Sequence, residues 1–87
     1  MSRSQRMEAH LRTAFAPEHL AIIDESEDHR GHGGWREGGE THYRVEIRSQ
    51  AFNGQSRVAR QRAVNAALAP EFEAGLHALS LSVEGTE

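Results

Sequence analysis

The chain has 87 residues, 26 % of them charged, with a net charge of −3 at neutral pH and no cysteine. This is the size of one small domain, which buries roughly 60–65 % of the surface its unfolded chain exposes. Disulfides and thiolate ligands are excluded, so any metal must be held through histidine, carboxylate or a partner's sulfur.

All ten basic residues are arginine. A net negative charge argues against a general polyanion binder, because phosphate-driven affinity needs many cationic contacts. The charge is uneven, however. Residues 55–69 carry Arg57, Arg60 and Arg62 and no acid, whereas residues 70–87 carry Glu71, Glu73, Glu84 and Glu87 and no base. A local basic face is therefore compatible with the composition. No apolar run approaches the ~20 residues of a membrane span. The start, Met-Ser-Arg-Ser-Gln-Arg, lacks the apolar segment of a secretory signal, so a cytoplasmic protein is expected.

The first segment reads as an amphipathic helix, capped by Ser2 or Ser4, with Met7, Leu11, Ala14 and Phe15 on one stripe. Pro17 ends it or starts a new turn. The branched-apolar run His19–Asp24 has strand length and composition. Residues 26–39 are polar and glycine-rich, which predicts a long flexible loop, either functional or disordered.

Clean alternation over residues 41–49 predicts a half-buried strand, with Thr41, Tyr43, Val45 and Ile47 inward and His42, Arg44, Glu46 and Arg48 outward. Gln50 to Gly54 reads as a turn. Ser56 then caps a helix whose stripe is Val64, Ala67 and Leu68, with Ala63 beside it. Pro70 opens a second short helix as a first-turn residue. Gly75 breaks it, and His77, Leu79, Leu81 and Val83 follow at period two as the last strand. The predicted order is αββααβ, an α+β domain in which a three-stranded sheet carries its helices on one face.

His77 has two readings from its position alone: a satisfied histidine at the edge of the core, or a ligand. His29 and His32 lie in the glycine-rich loop, where a histidine is ordinarily solvated. His10 and His19 have no sequence company that suggests chemistry. Arg57 and Arg60 share a face with Gln61 at the start of the middle helix, a reasonable phosphate site, whereas Arg62 points elsewhere. The same arginines also read as a solvated or ion-paired face. The acidic Asp24-Glu25-Ser26-Glu27-Asp28 reads most simply as a strand exit entering solvent. With no cysteine nucleophile, no Gly-x-Ser-x-Gly elbow and no phosphate-loop motif, an enzyme is not expected.

The tract from Glu40 to Arg62, containing Glu-Thr-His-Tyr-Arg-Val-Glu-Ile and Phe-Asn-Gly-Gln-Ser-Arg-Val-Ala-Arg-Gln-Arg, together with Gly75-Leu-His-Ala-Leu-Ser80, resembles the BolA family. The resemblance covers nearly the whole chain and implies a single domain, residues 1–87, with a fold similar to a type II KH domain. It implies a small partner of a monothiol glutaredoxin, joined to it through a shared [2Fe-2S] cluster. The C-terminal histidine of the family, in this Leu-His-Ala-Leu context, makes His77 a cluster ligand, and the loop ligand of the family falls on His29 or, close behind it, His32.

Ligand chemistry agrees with a shared centre. Two imidazoles on one iron, with sulfur on the other, is a known arrangement. This chain can supply only the imidazoles, and in the family the sulfurs come from glutaredoxin and its glutathione. Imidazole ligates only when neutral, so assembly is expected to weaken as pH falls through about 6.5, the unperturbed histidine value.

The family also implies an alternative, a DNA-binding transcriptional regulator of stress response and morphology acting through Arg57, Arg60 and Arg62. Family members read Arg-His-Arg where this chain has Arg60-Gln61-Arg62, and the only Gly-x-x-Gly, Gly31 to Gly34, lies between strands rather than between helices. A third reading is a metal-independent docking module in which His42, Tyr43, Phe52 and the acidic run contact a partner. No membrane and no small-molecule substrate are expected. Some family members continue into a further helix after the last strand, and no role of such a helix is carried over here.

Overall fold

The computed structural model describes residues 2–25 and 42–87, so the predicted loop, with His29 and His32, lies outside the described residues. The elements run α1 (Arg3–Phe15), β1 (His19–Asp24), β2 (His42–Arg48), α2 (Arg57–Ala67), α3 (Ala69–Glu73) and β3 (Ala78–Glu84), with a single 3-10 turn at Gln50–Phe52 after β2. The αββααβ order predicted from periodicity is the observed one.

Local chemistry sets the helix limits. Ser2 caps α1 in a reciprocal box with Gln5, each side chain taking the other residue's backbone N–H. The helix stops at Ala16, which adopts a left-handed conformation with φ 44°. The Ser56 hydroxyl accepts from the Ala59 N–H to start α2. Pro70 occupies the first turn of α3, where a missing N–H costs nothing.

The sheet has the order β1-β2-β3. The first pair is antiparallel and sets Ile22 opposite Val45, and the second is parallel and sets Val45 opposite Leu81. Central β2 is paired on both sides, and its alternate residues Tyr43, Val45 and Ile47 are buried beneath the helices. Met7 and Leu11 of α1, Phe52, Val64, Leu68 and Leu76 complete the core. Ala14, placed on the buried stripe by its spacing, is exposed; the stripe runs instead through Met7, Leu11 and Phe15, four residues apart each time.

Phe52 corrects the sequence reading. Its ring is fully buried and lies 4.7 Å, centroid to centroid, from that of half-buried Phe15, so it fills the core instead of contacting a partner. The 3-10 turn that turns it inward is capped by Ser49, whose oxygen accepts from the Ala51 N–H while its hydroxyl donates to the Phe15 carbonyl. Tyr43, also expected to contact a partner, is 2 % exposed and likewise belongs to the core.

Beyond β3 the chain folds back on the turn after Phe52. The Thr86 N–H donates to Asn53 Oδ1 at 2.7 Å, and the Gly54 N–H donates to Glu87 Oε1 at 2.6 Å. Gly85 fits because a Cβ there would run into Asn53 Oδ1. Among the described residues, no helix is long and apolar enough to cross a membrane.

Candidate functional site

The first candidate site lies where β2 begins and β3 begins. After α3 the chain turns at Gly75, with φ 117°, and Leu76 then returns to the core, its N–H donating to the Glu71 carbonyl at 2.9 Å. His77 follows as the link into β3 and is exposed. It does not sit at the edge of the core in phase with Leu79; the inward residue at this point is Leu76, and the strand proper starts at Ala78.

Ala78 pairs with His42, which brings the His42 and His77 rings together at 5.1 Å between centroids with planes inclined by 53°. His42 has the expected parity with Arg44 and Arg48 but not the expected exposure. Those two arginines are exposed, whereas His42 is 5 % exposed. The surface partner-contact role assigned to it from alternation is thereby corrected: the ring is buried, with that of His77 beside it.

The end of β1 reaches the same place. The Glu25 N–H donates to the His42 carbonyl at 2.8 Å, and its carboxylate lies 3.3 Å from Arg44 Nε. A shallow cavity of about 180 Å³ is lined there by Glu25, His42, Tyr43, Ala78, Leu79 and Ser80. Among the described residues, no three histidine or acidic side chains converge as a metal site. A [2Fe-2S] centre takes four ligands. Taken alone, His77 offers one exposed imidazole, which is short of a complete site.

The second candidate is a groove of about 470 Å³ between α2 and β3, lined by Gln55, Arg57, Arg60, Gln61, Leu81, Ser82, Val83 and Glu84. Arg57 and Arg60 share it, as the helical spacing predicted, and Arg62 is exposed outside it. The Arg60 Nε donates to the Gln55 carbonyl at 3.1 Å, and among the described residues none of the three arginines is ion-paired. Among the described residues they do not pair with the C-terminal glutamates.

The sequence reading missed one polar centre. Glu71 of α3 is 3 % exposed and receives two bonds of 3.1 Å from Arg6 Nε, one on each carboxylate oxygen. Arg3 Nε lies 3.5 Å away and His10 Nε2 3.7 Å away, so His10 does have company. The Arg6 hydrogen bonds, aided by the charges of Arg6, Arg3 and His10, hold the Glu71 carboxyl below its ordinary value despite its burial. This cluster ties α3 to α1. Helix stripes are chosen for apolar residues, and that is why it was not seen.

The family described as BolA-like protein matches residues 11–87. The chain belongs to the BolA family. A curated BolA relative, an uncharacterized protein in the cobS 5′ region of a Sinorhizobium species, is 52 % identical over 93 % of this chain and 88 % of its own length. The DNA-binding transcriptional regulator BolA of Escherichia coli K12 is 36 % identical over 88 % of this chain and 70 % of its own. Among solved structures, the BolA domain of SufE1 from Arabidopsis thaliana superimposes with a TM-score of 0.88 at 37 % identity, covering 99 % of this chain and 94 % of that one. The α+β architecture inferred from sequence is thus that of BolA domains.

Proposed function

We propose that this BolA-family chain is a non-catalytic cytoplasmic adaptor that pairs with a monothiol glutaredoxin and co-ligates a bridging [2Fe-2S] cluster through His77 and either His29 or His32. The observation that carries the reading is the exposed His77 imidazole at the end of the sheet where residue 25 leaves β1 and residue 42 enters β2. Residue 42, at one end of the segment bearing His29 and His32, lies beside His77, and residue 25, at the other end, is hydrogen-bonded to residue 42.

In this reading His77 donates one imidazole nitrogen to iron, and the glutaredoxin and its glutathione provide sulfur. The bound cluster supplies a redox-active, transferable iron–sulfur centre. Buried Leu76 and the paired Ala78 hold the His77 backbone, so the ligand is presented from a rigid edge, and the chain contributes position and exchangeable nitrogen ligation.

The test is anaerobic reconstitution of the chain with a monothiol glutaredoxin, glutathione, iron and sulfide, followed by visible circular dichroism. A spectrum distinct from that of the glutaredoxin homodimer, and lost in His77→Ala, is expected. An unchanged homodimer spectrum with wild-type chain present refutes the proposal. A double His29→Ala, His32→Ala variant that still gives the wild-type spectrum removes the loop ligands from it.

A second reading is supported by the groove at Arg57 and Arg60 and by the DNA-binding regulator among the relatives. In it the two arginines contact phosphate. Binding to duplex DNA then falls steeply with salt, and Arg57→Ala lowers the salt slope by about one. Affinity independent of salt rejects this reading.

A further inference from the structure

On the outer row of β2, Arg44 and Arg48 are exposed and Glu46 is half-buried, yet His42 is 5 % exposed. His42 sits opposite Ala78, and the ring of His77 packs beside its own. A centroid separation of 5.1 Å at 53° falls within the usual range for tilted ring packing.

The two residues differ in freedom. His42 is a β2 residue whose carbonyl accepts from the Glu25 N–H on one side and whose register partner is Ala78 on the other. His77 has its backbone fixed by Leu76 and Ala78, but its exposed side chain retains its own χ1 and χ2. Ordering a free side chain when it engages a partner weakens binding, and a contact made beforehand removes that penalty.

Resting on the reading that His77 is a cluster ligand, we infer that His42 is a positioning residue for it. The buried His42 ring is a fixed platform that holds the His77 imidazole in one orientation before any partner arrives.

The experiment uses the isolated chain with labelled histidine and reads the three-bond couplings that report χ1 of His77. Wild type is expected to show one rotamer, His42→Leu to show averaging, and His42→Phe, which restores a planar ring, to return the single rotamer. In reconstitution with glutaredoxin, His42→Leu is expected to need about two- to tenfold more chain to half-form the mixed cluster, and His42→Phe to behave as wild type. Averaged couplings already present in wild type overturn the inference, and so does a single rotamer persisting in His42→Leu. The wild-type measurement stands even where His42→Leu fails to fold. The couplings need no cluster, so they judge the positioning contact separately from a wild type that forms no mixed cluster, the result that refutes the proposed function.

Discussion

Glu71 of α3 receives Arg6 of α1 through both carboxylate oxygens, each 3.1 Å from Arg6 Nε. Because Arg6 first, and then the charges of Arg3 and His10, hold the Glu71 carboxyl below its ordinary value, ionised Glu71 stabilises the folded state. That contribution is complete above the unfolded carboxyl value of about 4.3 and is lost as pH falls through the lower folded value. Urea unfolding at pH 7 is expected to show Glu71→Gln weakened by about 1–3 kcal/mol, toward the lower end because the Arg6 side chain is 38 % exposed. Below pH 4 the gap to wild type should narrow. A gap independent of pH contradicts the ionic account.

Ser49 connects three parts of the chain. Its hydroxyl donates to the Phe15 carbonyl at 2.6 Å, its oxygen accepts from the Ala51 N–H, and its own N–H donates to the Glu84 carbonyl at 3.0 Å. Ser49→Ala removes only the side-chain bonds and leaves a carbonyl without its donor at a site that is 1 % exposed. A loss of about 1–3 kcal/mol is expected in chemical denaturation. Ser56→Ala, which removes one exposed cap bond, should lose about 1 kcal/mol or less.

Phe52→Ala is expected to cost about 3–5 kcal/mol, because the ring is fully buried. Val58→Ala on α2, 57 % exposed, should stay within about 0.5 kcal/mol. Thermal melts of the two variants separate a core role for Phe52 from a surface one; similar melting temperatures would restore the docking reading.

Ala16 holds the left-handed cap of α1 at φ 44°, a conformation that costs an L-residue about 1–2 kcal/mol and glycine little. Ala16→Gly therefore gains in the folded state more than it loses by loosening the unfolded chain. A net stabilisation of about 0.5–1 kcal/mol is expected by denaturant titration.

Neighbours on the link into β3 should behave oppositely. His77→Ala changes an exposed side chain, so stability is expected to stay within about 0.5 kcal/mol while the mixed-cluster spectrum disappears. Leu76→Ala empties a core position that is 4 % exposed and should cost about 2–5 kcal/mol whether or not a partner is present. Equal destabilisation by both would make His77 a packing residue.

What was legible in the sequence followed the range of the forces involved. The limits of β1 and the stop of α1 before Pro17 depend on near neighbours and could be read directly. Inward Tyr43, Val45 and Ile47 followed from strict alternation, and Thr41 of the same set lies outside the described residues. His42 could not be read this way, since its burial arises from the register between β2 and a strand that begins at residue 78. Phe52 sat in a stretch that reads as a turn, and only the Ser49 cap and the Phe15 ring make it a core residue. Glu71 was read as one acid among several at the C-terminal end, because its partners are on the first helix. Arg57 and Arg60 were correctly placed on one side of α2, since three-residue spacing is local.

The parallel pairing of β3 with β2 bears on how the molecule is made. The middle strand of the sheet is encoded before the strand that closes its second edge, and the crossover helices lie between them. On the ribosome, the β2 edge therefore remains open until residues 78–84 have emerged, presenting unpaired backbone beside Tyr43, Val45 and Ile47. The contact between His42 and His77 forms only when that edge closes, so a nascent chain lacks it until β3 has docked.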